Sequence, residues 1–373
     1  MNKNELRTPA ILVDLDALER NIASYQALCD KHGKQLWPMI KTHKSTEVSL
    51  MQQKAGASGF LCGTLDECEA LARAGVRNIM YAYPIAAGPS VERAVALSRT
   101  SNFILRLDCP DNVRELNAAA EAAGVKVQYT VIIDSGLHRF GMAPDKAAGF
   151  VADLKPLSSL VFKGISTHPG QVYGGAGKAT AQAAADAEMQ AMGTAKKLLA
   201  GAGFTCEMVT SGSTPTFAPA VADPNITHYH PGNYVFLDAI QMSLEAATQA
   251  DCSLAILATV ISRPAPDRVI IDAGAKCFGL DQGAHGADTV KGHGIIKGHD
   301  DLELYGLSEE VGKIHIHPNS ALKVGDRIEV LPNHACSSAN LTSNLIGVRG
   351  GTVERLIKVD MRSNSTGCGF GDA

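Results

Sequence analysis

The sequence predicts an α/β protein: a (β/α)8 TIM-type barrel over residues 14–245, then an antiparallel β domain over residues 246–373 with which residues 1–13 can pair. Three observations predict it. Short apolar runs alternate with helical patterns from about residue 15 to residue 240, and eight such runs can be counted. Beyond about residue 250 the helical patterns give way to short strand-like segments separated by Gly, Pro and Asp. The chain has 373 residues, more than the roughly 250–300 that one hydrophobic core usually serves.

The first helix is read from Asp14 to Gly33. Asp14 caps it, Leu18, Ile22, Tyr25 and Cys29 recur at helical spacing, and Gly33 stops it. Thr64 and Glu67 stand at capping-box spacing, and that helix ends near Gly75. Pro110–Gly124 and Gly177–Gly201 are Ala-rich helices closed by Gly. The buried strands between helices fall at 35–40, 58–61, 78–82, 102–107, 127–133, 160–166, 207–210 and about 226–229. A doubly wound sheet fits this periodicity almost as well, and either fold places its chemistry where strands meet helices. In the second domain, strands are expected at Leu254–Ser262, Arg268–Asp272, Lys313–His317, Asp326–Leu331 and Thr352–Val359.

Composition narrows the function classes. With 34 basic against 38 acidic residues the net charge is −4, and no basic stripe is present, which argues against nucleic acid and anionic membranes as partners. The start, Met1-Asn2-Lys3-Asn4-Glu5-Leu6-Arg7, lacks the apolar stretch of a signal peptide, and no apolar run is long enough to span a bilayer. Nine cysteines, an odd number without CxxC spacing, predict free thiols in a reducing cytoplasm.

Lys41 stands at the end of the first predicted strand, in Ile40-Lys41-Thr42-His43-Lys44-Ser45. A lysine entering a barrel mouth loses solvation, which disfavours the ammonium and makes the amine a Schiff-base nucleophile. A surface lysine capping the strand would look the same. Ser211-Gly212-Ser213-Thr214 follows a strand and offers hydroxyls and backbone N–H groups to a phosphate; an ordinary polar loop is the other reading. His230-Pro231-Gly232-Asn233-Tyr234 repeats the pattern, with a Gly that permits close backbone approach. His168, in Thr167-His168-Pro169-Gly170, puts an imidazole at the end of the sixth strand, where a satisfied structural histidine is the other reading. His334 and Cys336 are good zinc ligands, and on an extended segment residues i and i+2 point the same way. His-x-Cys also occurs by chance. His315 and His317 share the spacing and compete as a metal pair, although one face of an exposed strand explains them too.

Taken together, these residues resemble the fold-type III pyridoxal-phosphate enzymes, and within them the D-serine dehydratase/D-threonine aldolase group of the alanine racemase N-terminal-domain superfamily. The resemblance rests on Thr8-Pro9-Ala10-Ile11-Leu12-Val13-Asp14, Lys41-Thr42-His43-Lys44, and Asp134-Ser135-Gly136 leading to His138-Arg139-Phe140-Gly141. It continues through Pro231-Gly232-Asn233-Tyr234, Asp272-Ala273-Gly274 and Pro332-Asn333-His334-Ala335-Cys336, in order and over nearly the whole chain.

The resemblance implies that Lys41 carries the cofactor, that His168 lies against its ring and that Arg139 sits near its phenolic oxygen. Ser211, Gly212, Ser213 and Thr214 would contact the phosphate, joined by Gly232 and Asn233. His334 and Cys336 would hold a divalent metal: zinc, with manganese or magnesium as alternatives. It further implies a D-amino acid substrate, a homodimer and a lyase that releases a keto acid and ammonia. The alternative is aldolase cleavage to glycine and an aldehyde. The chain departs from the pattern in three places. Trp37-Pro38-Met39 stands where many relatives have Arg-Pro-His, His230 where an arginine commonly precedes Pro-Gly, and Glu309-Glu310-Val311-Gly312 where Glu-Glu-His-Gly is frequent. An amino-acid racemase would need a second base, usually a tyrosine of the β domain, and Tyr305 is the sole tyrosine after residue 250. A non-enzymatic pyridoxal-phosphate-binding protein would lack the second domain altogether.

Overall fold

The computed structural model describes all residues except 86–87, 112, 285–287, 300 and 363–373. β1 (Ala10–Asp14) leads into the helix Leu15–Lys31, whose first turn is capped by the Asp14 carboxylate accepting from Ala17 N. Eight parallel strands follow: β2 (Gln35–Leu36), β3 (Phe60–Cys62), β4 (Asn78–Tyr81), β5 (Asn102–Leu107), β6 (Val127–Ile132), β7 (Leu160–Ser166), β8 (Met208–Ser211) and β9 (His228–Tyr229). They pair in the order β2-β9-β8-β7-β6-β5-β4-β3. A parallel bridge between Met39 and Leu61 joins the two ends, so the sheet closes into the expected barrel.

The period of two along each strand sorts the side chains. Trp37, Met39, Leu61, Met80, Ile104 and Met208 form a packed cluster, and Arg106, two residues beyond Ile104, shares its face of β5. The opposite faces pack against the helices around Phe60, Ile79, Leu105, Val131 and Val209. Where β7 meets β8, Gly164 has φ +144° and a Cβ there would stand 1.8 Å from the Met208 carbonyl oxygen. Gly164→Ala is therefore expected to destabilise the fold by about 3 kcal/mol or more. Urea unfolding against wild type checks this, and an unchanged midpoint would contradict it.

The second sheet contains β10 (Leu254–Ala265), β11 (Arg268–Ile271), β12 (Gly294–Ile296), β13 (Glu303–Leu307), β14 (Gly312–His315), β15 (Arg327–Pro332), β16 (Asn344–Arg349) and β17 (Thr352–Lys358). β1 joins it between β10 and β16. All its pairings are antiparallel except β1 with β16, so the expected antiparallel β domain is present, with one parallel pair where β1 joins it. The strands β12, β13 and β16 were not foreseen. They are short or interrupted by Gly; β12 pairs with the later β15, while β13 and β16 form hairpins with β14 and β17.

The β domain reaches back over the barrel mouth. Asn340 Nδ2 donates to the carbonyls of Lys41 and Thr42, both at 3.2 Å, and Met361 N donates to Lys44 O at 3.0 Å. No helix among the described residues is long and apolar enough to cross a membrane.

Candidate active site

Pro38 follows β2, and Met39 N still reaches Pro231 O at 3.1 Å before the chain turns through Ile40–Thr42. That turn carries Lys41 into a cavity of about 310 Å3 between barrel and β domain. The neighbouring Lys44 is turned away from it. Its side chain is buried and ion-paired with Glu67, which also accepts from Gly63 N. Of the two lysines in the motif, only Lys41 lines the cavity.

Two turns form the floor. Gly212, Ser213 and Thr214 come from the end of β8, and His230, Gly232 and Asn233 from the end of β9. They are bound to each other by His230 N donating to Ser211 O at 3.0 Å. A Cβ on Gly212, at φ +141°, would lie 3.0 Å from His230 N, and one on Gly232 would meet Thr42 Oγ1 at 3.0 Å. Thr214 Oγ1, His230 Nε2 and Asn233 Oδ1 are buried without hydrogen-bond partners. Buried polar atoms are normally satisfied, so three orphans around one hollow mark a polar ligand's place. Ser211, expected in the same cradle, is not on the cavity wall. Its Oγ donates instead to Glu188 Oε2 at 2.7 Å, behind the turn.

His168 lies on the wall, with Nδ1 3.2 Å from Gly212 O. Burial, and then the charge of Lys41, hold its pKa well below the ordinary value, so the imidazole is neutral. His230 is likewise held neutral by burial and by Arg106. Arg106 was not foreseen, because an arginine inside the apolar run Phe103–Leu107 reads as an outward residue. Its Nε donates to Ser166 Oγ at 2.8 Å, and burial lowers its pKa only to about 10, so it stays charged at neutral pH. Arg139 stands at the mouth, its guanidinium 5.8 Å from the Tyr83 ring centroid and 5.3 Å from that of Phe140.

Across the cavity, His334 and Cys336 both face the hollow, though not on an extended segment. His334 is the extended N-cap residue of the short helix Ala335–Asn340, and Cys336 sits in its first turn. His334 Nδ1 is 2.8 Å from Asp281 Oδ2, and Cys336 Sγ donates to Thr42 Oγ1 at 3.2 Å. Burial opposes a charge on His334, but Cys336, Asp281 and Asp238 outweigh it and hold its pKa well above the ordinary value. Asp281 holds Nδ1 as carboxylates hold metal-binding histidines, and a metal at Nε2 would displace the proton that the raised pKa keeps on the ring. Among the described residues no three His, Cys, Asp or Glu converge as a closed metal cage. Imidazole nitrogen and cysteine sulfur are chemically suited to a divalent metal, but two donors are fewer than the three protein ligands usual at a catalytic zinc.

Asp238, also unforeseen, ties the two halves of the site together. It is fully buried and accepts from Asn233 Nδ2 in the cradle, from Gln241 N at 3.0 Å and from Ala335 N at 2.8 Å. Two other histidines are excluded from the cavity. Tyr305 stacks on His315 with centroids 3.7 Å apart, and His317 Nδ1 accepts from Asn319 N at 3.2 Å. None of these three lines the cavity, so Tyr305 is not placed as a base within this chain's own site.

The family model of the alanine racemase N-terminal domain matches residues 13–239, and that of a serine dehydratase domain matches residues 253–348. D-threo-3-hydroxyaspartate dehydratase from Delftia sp. (strain HT23) is 31% identical over 89% of this chain and 92% of its own. 3-hydroxy-D-aspartate aldolase from Paracoccus denitrificans (strain Pd 1222) is 28% identical over 97% of this chain and 94% of its own. Among solved structures, D-threonine aldolase from Filomicrobium marinum superposes with a TM-score of 0.89 at 26% identity, covering 97% of both chains. A cysteine-to-alanine mutant of a D-threo-3-hydroxyaspartate dehydratase, in its metal-free form, gives 0.88 at 29% identity, over 96% of this chain and 99% of that one.

Proposed function

Since the chain belongs to the alanine racemase N-terminal-domain family, we propose that it is a lyase of D-β-hydroxy amino acids, a dehydratase using pyridoxal phosphate at Lys41 and a divalent metal, zinc, at His334 and Cys336. One observation carries this reading. Lys41, the two glycine-hydroxyl turns and the His-x-Cys pair, spread over almost the whole sequence, line a single cavity. Relatives named dehydratase and aldolase of D-hydroxy amino acids support it.

The residues fit the cofactor. Gly212, Ser213, Thr214, Gly232 and Asn233 would take the phosphate, with the partnerless Thr214 Oγ1 and Asn233 Oδ1 marking where polar groups are needed. Neutral His168 would lie against the ring, Arg139 near its phenolic oxygen, and neutral His230 with Arg106 on the remaining wall. Bound there, pyridoxal phosphate supplies an electron sink for the pair left when a bond to the substrate Cα breaks. A divalent ion on His334 Nε2 and the Cys336 thiolate would supply Lewis acidity toward the β-oxygen.

The chain's own groups do the rest. Lys41 Nζ, once freed, accepts the proton from Cα, and the desolvated wall of Met39, Leu61 and Ala82 keeps bulk water from that proton. Loss of that proton and of the β-hydroxyl removes water; the enamine released then takes up water and yields a keto acid and ammonia. If instead the β-hydroxyl proton is removed and the Cα–Cβ bond breaks, the products are an aldehyde and glycine. Elimination is the preferred outcome because His334-Ala335-Cys336 resembles the metal pair of the D-serine dehydratases.

Incubation with a panel of D- and L-β-hydroxy amino acids, with keto acid, ammonia, aldehyde and glycine measured in parallel, tests the proposal. Equal amounts of keto acid and ammonia are expected from a D-substrate and none from its L-enantiomer. Glycine and aldehyde as the main products would establish the aldolase reading, and conversion of D-alanine into L-alanine would overturn the lyase.

A further inference from the structure

The long helix Gly177–Gly201 buries a stripe of apolar residues, Ala181, Ala184, Ala185, Met192, Ala195 and Leu199, and in its middle one carboxyl, Glu188. Glu188 is fully buried. Its Oε2 accepts from Ser211 Oγ, and its Oε1 has no hydrogen-bond partner. Among the described residues it makes no ion pair. A carboxylate so placed is strongly disfavoured relative to its protonated form.

Its surroundings reinforce this. β8 and the helix Thr214–Ala220 present hydroxyls and apolar groups but no charge. The titratable groups nearby are Asp223, whose Oδ1 is held by the N–H groups of Asn225 and Ile226, and Tyr229, whose hydroxyl donates to Ala220 O. Lys34 is occupied by the carbonyls of Asp223 and Ile226. Burial pushes the Glu188 carboxyl up to about 8, with the hydroxyls of Ser211 and Thr216 pulling down and Asp223 adding to the rise.

The position of Ser211 makes that carboxyl consequential. Ser211 begins the Gly212–Thr214 turn, and its carbonyl accepts from His230 N, so it joins both turns of the cradle. We propose that Glu188 is the positioning acid of that cradle: uncharged, it fixes Ser211 and through it both turns, and when it ionises it sets a negative charge behind the turn and weakens the grip on a phosphate group. This rests on reading the turn as the cofactor's phosphate site. It also gives the misplaced Ser211 a role, as the link between the acid and the cradle rather than as a phosphate ligand.

The linkage has a definite sign. A phosphate in the cradle disfavours ionised Glu188 and so raises its pKa further. Affinity for the phosphate is then full below about pH 8 and falls as pH rises above it. The test is a titration of cofactor-stripped protein with pyridoxal phosphate and with pyridoxal, followed by absorbance from pH 6.5 to 9.5, in wild type, Glu188→Gln and Glu188→Leu. Relative to Glu188→Gln, the wild-type Kd for pyridoxal phosphate should rise about tenfold between pH 7.5 and 9.5. Ionisations common to both proteins cancel in this comparison. For pyridoxal, which lacks the phosphate, the two profiles should run parallel. Glu188→Leu, which leaves the Ser211 hydroxyl without its partner, should bind pyridoxal phosphate about tenfold more weakly than Glu188→Gln at every pH. Superimposable wild-type and Glu188→Gln profiles would overturn the proposal, even if Glu188→Leu failed to fold. So would wild-type affinity in Glu188→Leu at pH 7.5. Should wild type take up no pyridoxal phosphate at any pH, the function proposed above falls, and this role with it.

Discussion

Lys41→Ala is expected to lower kcat/KM for a D-β-hydroxy amino acid by roughly 10³-fold or more, the largest effect of any single substitution here. The size follows from two duties on one amine, holding the cofactor and taking the α-proton, with no second lysine among the described residues of the cavity wall to assume either. Lys44→Ala is the contrasting variant. Lys44 is buried against Glu67, and its loss leaves that carboxylate uncompensated, so the expected defect is in stability. Steady-state kinetics and denaturant unfolding on both proteins separate these outcomes. Appreciable turnover by Lys41→Ala would remove the amine from the mechanism.

Metal removal should be nearly as damaging while leaving the cofactor in place. Exhaustive chelation, His334→Ala or Cys336→Ala is expected to cut turnover by about 100-fold or more, since even neighbours of metal ligands commonly matter 10- to 100-fold. The bound-cofactor absorbance should persist, because the proposed phosphate and ring contacts come from the barrel strands and the metal donors from the helix Ala335–Asn340. Adding back zinc should restore the chelated wild type but neither mutant. Full activity after chelation, or in either mutant, would show that the pair holds no catalytic metal. Loss of the cofactor band together with unfolding would make the metal structural.

Much of this arrangement was legible in the sequence because it is written locally. The barrel strands and their helices follow from apolar periodicity and from caps such as Asp14 and Thr64. Lys41, the Ser211–Thr214 and His230–Asn233 turns and His334-Ala335-Cys336 stand at element ends, where their residue types are conspicuous. What stayed hidden depends on distant contacts. Arg106 lies in an apolar strand, and only barrel closure turns it toward the cavity. Asp238 matters because Ala335, nearly a hundred positions later, donates to it. Ser211 looks like a phosphate ligand until the helix bearing Glu188 is laid behind it. The helical turn at Cys336 was missed because the helix Ala335–Asn340 has only six residues, and its Cys, Ser and Asn are weak helix formers.

The most direct test of the central claim is borohydride reduction of the cofactor-loaded protein, followed by peptide mapping of the modified lysine. The account predicts the reduced pyridoxyl group on Lys41 alone, because that amine enters the cavity while Lys44 is locked onto Glu67. Label on Lys44, or on no lysine at all, would contradict it.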